Sequence, residues 1–166
     1  WEKVIAEVQQ GDYVVIQFGH NDKKPDKKRH TEPYTSYTNL LKRYIRETRN
    51  KGGVPVLCTP IVRRHFNETG TLLNTHLDYP DAVRKLARTE KVFLLDLEDM
   101  TRCIVEAKGA EASKYLYLYL DPGIYPTRPE GASDATHLSQ LGAYTVASLA
   151  VKAMLTEGLF LSGSLR

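Results

Sequence analysis

An α/β fold built on a parallel sheet is predicted by two features of this 166-residue chain. Residues 13–18, 54–58 and 92–95 are continuous apolar runs, the pattern of strands covered on both faces. Stretches with helical periodicity separate them. Strands alternating with helices in this way pair in parallel, with crossover helices on both faces of the sheet.

The elements follow in order. Trp1, Val4, Ile5 and Val8 lie at helical spacing, so the chain opens inside a helix or loop already under way. It begins without Met or a helix cap, and three strands are few for a doubly wound domain. A single domain over 1–166 is therefore expected to be incomplete, truncated at the N-terminus with its first strand upstream. Between the first two strands, residues 34–50 place Tyr37, Leu40, Leu41, Tyr44 and Ile45 on one helical face, and Lys51-Gly52-Gly53 stops the helix. Residues 79–90 do the same with Ala82, Val83, Leu86 and Ala87. Residues 100–107 form a short helix candidate and 141–157 a longer one ending at Gly158. Residues 115–120 alternate like a strand but run into 121–131, rich in turn formers, and are read as an ordered insertion rather than a sheet strand.

Composition narrows the function classes. Hydrophobic residues at 42% and charged residues at 26% are ordinary for a globular domain. A net charge of +3 implies no nucleic-acid partner, and the basic run over 23–30 reads as a solvated loop. No apolar stretch reaches the roughly 20 residues of a spanning helix, so no membrane partner is expected. Cys58 and Cys103 are expected to be two buried free thiols, and neither their number nor their spacing suggests a metal.

Two short strings carry chemistry. Gly19-His20-Asn21-Asp22 ends the first apolar run, where active sites of parallel sheets lie, outside the carboxyl ends of the strands. Gly19 permits a tight turn, and Asn21 can aim an uncharged amide at an oxyanion, although Asn-Asp after a strand is also plain turn chemistry. Asp134-Ala135-Thr136-His137 sits on the loop entering the last helix. Spaced this way, Asp134 can accept the imidazole Nδ1–H and leave Nε2 of His137 free as a general base; a cap or surface role is the alternative.

Together, in this order, the strings resemble two sequence blocks of the SGNH (GDSL-type) hydrolases. Residues 11–22 and 134–143, with Tyr79-Pro80-Asp81-Ala82 and Leu95-Asp96-Leu97 between them, are similar to the rhamnogalacturonan acetylesterase branch. The resemblance implies a three-layer α/β/α sandwich and a serine esterase that removes acetyl groups from pectic polysaccharide or oligosaccharide, with no cofactor. It implies His137 as general base, Asp134 as its orienting acid and Asn21 as oxyanion donor, with Gly19 and His20 shaping the site. The expected location is secreted or periplasmic.

The departure from that family is the nucleophile. No Gly-Asp-Ser block is present, and none of Ser36, Ser113, Ser133, Ser139, Ser148, Ser162 and Ser164 has that context. The nucleophile is therefore expected upstream, and this chain alone is expected to be inactive. A saccharide-binding or structural fragment is the alternative, and a metallophosphoesterase built on His20, Asp22, Asp134 and His137 is a more distant one. Arg63 and Arg64 follow the second strand, where a guanidinium either grips a substrate carboxylate or serves an ion pair. Tyr119, Tyr125 and Arg128 either wall a sugar site or pack their loop; His65 and His76 border another loop. Loss of an early strand would leave a sheet edge through which the chain pairs with itself.

Overall fold

The structure is a computed structural model describing residues 1–26 and 28–159; Lys27, Ser162 and Ser164 lie outside the described residues. The chain divides into two compact units, Trp1–Pro60 with His76–Asp96, and Ile61–Thr75 with the chain from Leu97 onward.

The first unit holds α1 (Glu2–Glu7), β1 (Tyr13–Gln17), a π-helical turn (Pro33–Tyr37) leading into α2 (Thr38–Asn50), β2 (Val54–Cys58), α3 (Tyr79–Glu90) and β3 (Phe93–Leu95). The strands pair in parallel in the order β1-β2-β3, with Val15 opposite Val56 and Val56 opposite Phe93. Tyr37, Leu41 and Ile45 from the first helical stretch and Tyr79, Ala82, Val83, Leu86 and Ala87 from α3 pack on Ile16 and Leu57. The spacing read from the sequence is thus the face buried against the sheet. Burying an aliphatic side chain such as Ile45, 2% exposed, stabilises by roughly 1.5–3 kcal/mol.

Local chemistry sets the ends of these helices. Lys51 and Gly53 donate backbone N–H groups to Thr48 O, and Gly52 turns the chain at φ 75°. Pro80 lies in the first turn of α3, where a missing N–H costs nothing, and Lys91 closes its other end in the left-handed region. Arg84 bridges Asp81 and Asp96, tying α3 to the residue that follows β3.

One expectation fails at β1. Val15 is 51% exposed, so this strand is covered on one face only and is an edge of the described sheet. Apolar composition alone does not reveal how many neighbours a strand has. Central β2, with Val56, Leu57 and Cys58 buried, fits the reading.

The second unit holds α4 (Leu97–Ala112), a 3₁₀ turn (Ser113–Leu116), β4 (Tyr117–Leu120), β5 (Ala132–Leu138) and α5 (Gln140–Thr156). The helix expected at 100–107 is longer, with a break at Gly109. Val62, Leu72, Val105, Leu116 and Tyr117 form its core, and the Tyr117 hydroxyl donates to Val62 O at 2.7 Å. Residues 117–120, read as part of an insertion, are instead strand β4, antiparallel to β5 with Tyr119 opposite Ser133. Its alternation was a true strand signal, satisfied by a two-stranded hairpin whose 121–131 connection holds the turn formers. Ser139 caps α5 by accepting the Gly142 N–H at 3.0 Å. Cys58 and Cys103 are both free, but only Cys58 is buried; Cys103 lies on the exposed side of α4. Burial pushes the Cys58 thiol up to about 12, which keeps it protonated and unreactive.

Candidate active site

The parallel sheet brings three chain exits to one edge of the first unit: Gly19 follows β1, Thr59 follows β2 and Asp96 follows β3. Thr59 Oγ1 donates to Asp96 Oδ1 at 2.9 Å. Gly19 sits at φ 102°, and a Cβ there would lie 2.9 Å from the buried Tyr37 hydroxyl, so both backbone angle and space require glycine. Asp22 closes the turn: its Oδ2 accepts the Gly19 N–H at 2.9 Å, and its carbonyl accepts from Thr31 N and from Tyr79 OH, both at 3.0 Å. Tyr79 OH also donates to Thr31 O. Asn21 is exposed at the tip of this braced turn.

His20 is held from behind. His76, 2% exposed, places Nε2 3.1 Å from His20 Nδ1, with ring centroids 4.8 Å apart. The sequence marks His76 only as a loop-bordering residue, because its partner is 56 positions away. No local pattern signals such a contact.

In the second unit, Asp134 and His137 lie on β5 rather than on a loop. Asp134 Oδ2 is 2.6 Å from His137 Nδ1, while Oδ1 accepts the backbone N–H groups of Thr136 at 2.8 Å and His137 at 3.0 Å. Partial burial alone would raise the Asp134 carboxyl. The His137 hydrogen bond and the two backbone donors outweigh it and hold the group down at about 2. An ionised Asp134 can only accept, so Nδ1 carries a proton, and in the neutral imidazole this tautomer leaves the Nε2 lone pair free. The His137 side chain is 76% exposed. An oriented, accessible imidazole of this kind can take a proton from a nucleophile and return it to a leaving group.

Other candidates separate by environment. Arg63 is 8% exposed and donates to Thr75 O and Oγ1 at 3.3 and 3.4 Å, so it is an interior residue and not a rim cation. Arg64 donates from Nε to Ser113 Oγ at 3.1 Å, from Nη1 to Tyr119 OH at 2.9 Å, and from Nη2 to Ala110 O. Tyr125, 47% exposed, bridges to Arg128 within the exposed β4–β5 connection, where the Arg128 N–H donates to Tyr125 O. Among the serines, Ser36, Ser113, Ser139 and Ser148 hydrogen-bond to backbone groups of their own turns or helices, and Ser133 on β5 pairs across to Tyr119 of β4.

The model of the GDSL-like lipase/acylhydrolase family matches residues 1–143. The rhamnogalacturonan acetylesterase RhgT of Bacillus subtilis (strain 168) is 41% identical over 158 residues, covering 95% of this chain and 67% of that protein. The crystal structure of Bacillus subtilis YxiM superposes with a TM-score of 0.76 at 27% identity, over 96% of this chain and 41% of that one. A catalytic mutant of an acetylxylan esterase from Geobacillus stearothermophilus shares the fold with a TM-score of 0.63 at 22% identity, over 92% of this chain and 63% of the other. The chain thus spans less than two thirds of these solved structures. On the family match, the α/β fold with its parallel sheet and the identity to RhgT, this chain belongs to the GDSL-like lipase/acylhydrolase family.

Proposed function

We propose that the chain carries the base and oxyanion groups of a serine-dependent carbohydrate O-acetylesterase acting on acetylated rhamnogalacturonan or related pectic fragments outside the cytoplasm. The observation that carries this reading is the Asp134–His137 contact at 2.6 Å with the second Asp134 oxygen fixed by two backbone N–H groups. The resemblance to RhgT supports the substrate class.

In this reaction a serine hydroxyl attacks the acetyl carbonyl and passes its proton to His137 Nε2. Asp134 stabilises the imidazolium and holds its orientation. The Asn21 amide donates to the oxyanion of the tetrahedral intermediate. Collapse of the intermediate expels the sugar oxygen, which takes the proton from Nε2. Water then repeats the sequence on the acetyl-enzyme and releases acetate. The serine is supplied from outside these residues, since none of those present has a Gly-Asp-Ser context.

Acetate release from acetylated rhamnogalacturonan by the full gene product is the test. Activity should be abolished by His137→Ala, and these 166 residues alone should show no turnover above their own His137→Ala control. His137-dependent hydrolysis by the chain alone would place the nucleophile within it and overturn that assignment.

A further inference from the structure

The turn that carries Asn21 is gripped on both sides by the entry to α3. On one side, Tyr79 OH donates to Asp22 O at 3.0 Å. On the other, His76 Nε2 stands 3.1 Å from His20 Nδ1. His76 and Tyr79 are themselves joined, since the Tyr79 N–H donates to His76 O at 3.2 Å. Asn21 lies between the two gripped residues, and its own carbonyl accepts the Lys24 N–H at 3.0 Å.

We propose that His76 is a positioning residue of the esterase site, acting through His20 to hold the Asn21 amide where the oxyanion forms. The inference rests on the serine-esterase reading and adds to it a residue that acts at one remove from the reacting atoms.

The chemistry of position 76 carries the argument. His76 is 2% exposed, and packing alone would be met there by an apolar side chain. A buried imidazole costs free energy unless its ring nitrogens find partners. The two rings are tilted by 53° with centroids 4.8 Å apart, so they meet through facing nitrogens rather than by parallel stacking. Only one hydrogen fits between Nε2 and Nδ1, so one ring donates and the other accepts. That bond anchors the His20 side chain, and through it the peptide from which Asn21 projects.

The backbone beside His76 is bent to make this contact. Leu77 sits at φ 52°, in the left-handed region that leucine rarely adopts, and is 56% exposed. The reversal turns His76 inward and Leu77 outward. Strain of this kind persists where the surrounding structure over-determines it, and it clusters at functional sites. With Gly19 N–H fixed on Asp22 Oδ2 at 2.9 Å and Asp22 O fixed on Tyr79, the His20 side chain gives the turn a third anchor. A donor held this firmly meets the oxyanion without reorganising, whereas a misplacement of about 1 Å costs on the order of 10²-fold in rate.

The test is steady-state acetate release from acetylated rhamnogalacturonan by the full gene product, with thermal unfolding of each variant alongside. His76→Leu should lower kcat by roughly 10–100-fold with KM within about twofold, because the oxyanion contact is made only in the transition state. His76→Gln, whose amide reaches the place of Nε2, should keep kcat within about threefold of wild type, whereas His76→Asn, one methylene shorter, should fall with the leucine variant. In a His20→Ala background, His76→Leu should change kcat by less than about twofold, since its effect passes through the missing ring. An unchanged kcat in His76→Leu, equal activities of His76→Gln and His76→Asn, or an undiminished loss in the His20→Ala background would overturn the proposal. Should His76→Leu fail to fold, the contrast between His76→Gln and His76→Asn decides. If wild type releases acetate with His137 dependence while these contrasts fail, the positioning role alone falls. Absent acetate release would instead remove the esterase reading and this role with it.

Discussion

Replacing Gly142 by Ala sets two effects of known sign against each other. In a helix interior the change alone gains about 1 kcal/mol, because glycine loses more backbone freedom on folding. Here the new Cβ would lie 1.9 Å from Leu116 O and 2.8 Å from Leu116 C, whereas real Cβ contacts essentially never fall below 3.0 Å. Both neighbours are backbone atoms, so α5 must retreat by about 1 Å. That movement strains two contacts at the same junction, Ser139 N–H to Leu116 O at 3.1 Å and Ser139 Oγ to Tyr115 O at 2.5 Å. Overpacking costs about 1–3 kcal/mol, and each weakened hydrogen bond about 0.5–1.5 kcal/mol. The net expectation is a loss of roughly 2–3 kcal/mol, a melting temperature lower by about 5–10 °C for a chain of this length. Urea and thermal unfolding of Gly142→Ala measure it, with Ser148→Ala on the exposed side of α5 as a control expected to change stability by about 0.5 kcal/mol or less. A Gly142→Ala protein as stable as wild type, or more so, would refute the close seating of α5 on Leu116.

Three further outcomes are expected. The Asp134 carboxyl is held at about 2 against an ordinary 3.8, so its contribution to stability is complete above the ordinary value and fades as pH falls toward the folded one. The urea midpoints of wild type and Asp134→Asn should therefore converge on going from pH 5 to pH 2; a constant gap would contradict the paired geometry. Asn21→Ala in the full gene product should lower kcat by roughly 10²–10³-fold, and full activity would remove its oxyanion role. Exposed Val15 on edge strand β1 predicts that the chain self-associates in sedimentation experiments and that Val15→Lys reduces it; a monomeric wild-type chain, or association unchanged by Val15→Lys, would refute pairing through β1.

What was legible in the sequence was mainly what is local. Leu41 and Ile45, or Ala82, Val83 and Leu86, declare the buried faces of α2 and α3 through spacing alone. Asp134 and His137 are three residues apart, so their contact follows from proximity on any compact turn or strand. Residues 117–120 were misassigned because the glycines and prolines of the next segment outweighed a true alternation, which needed its partner β5 to be interpretable. Arg64 meets Ser113 and Tyr119 at separations of 49 and 55 residues, and His76 meets His20 at 56; no window along the chain contains both partners. Exposure was the other blind spot. Val15 and Cys103 are apolar or buried-type residues that face solvent, and side-chain type does not report what covers them.

The central claim is that Asp134 makes His137 a general base. Steady-state acetate release by the full gene product carrying Asp134→Asn, compared with wild type, tests it most directly. With the carboxylate gone the imidazole loses its fixed tautomer and the charge that stabilises its protonated form. The account predicts that kcat falls on the order of 10³–10⁴-fold with KM little changed. An Asp134→Asn enzyme within a few fold of wild-type kcat would contradict it.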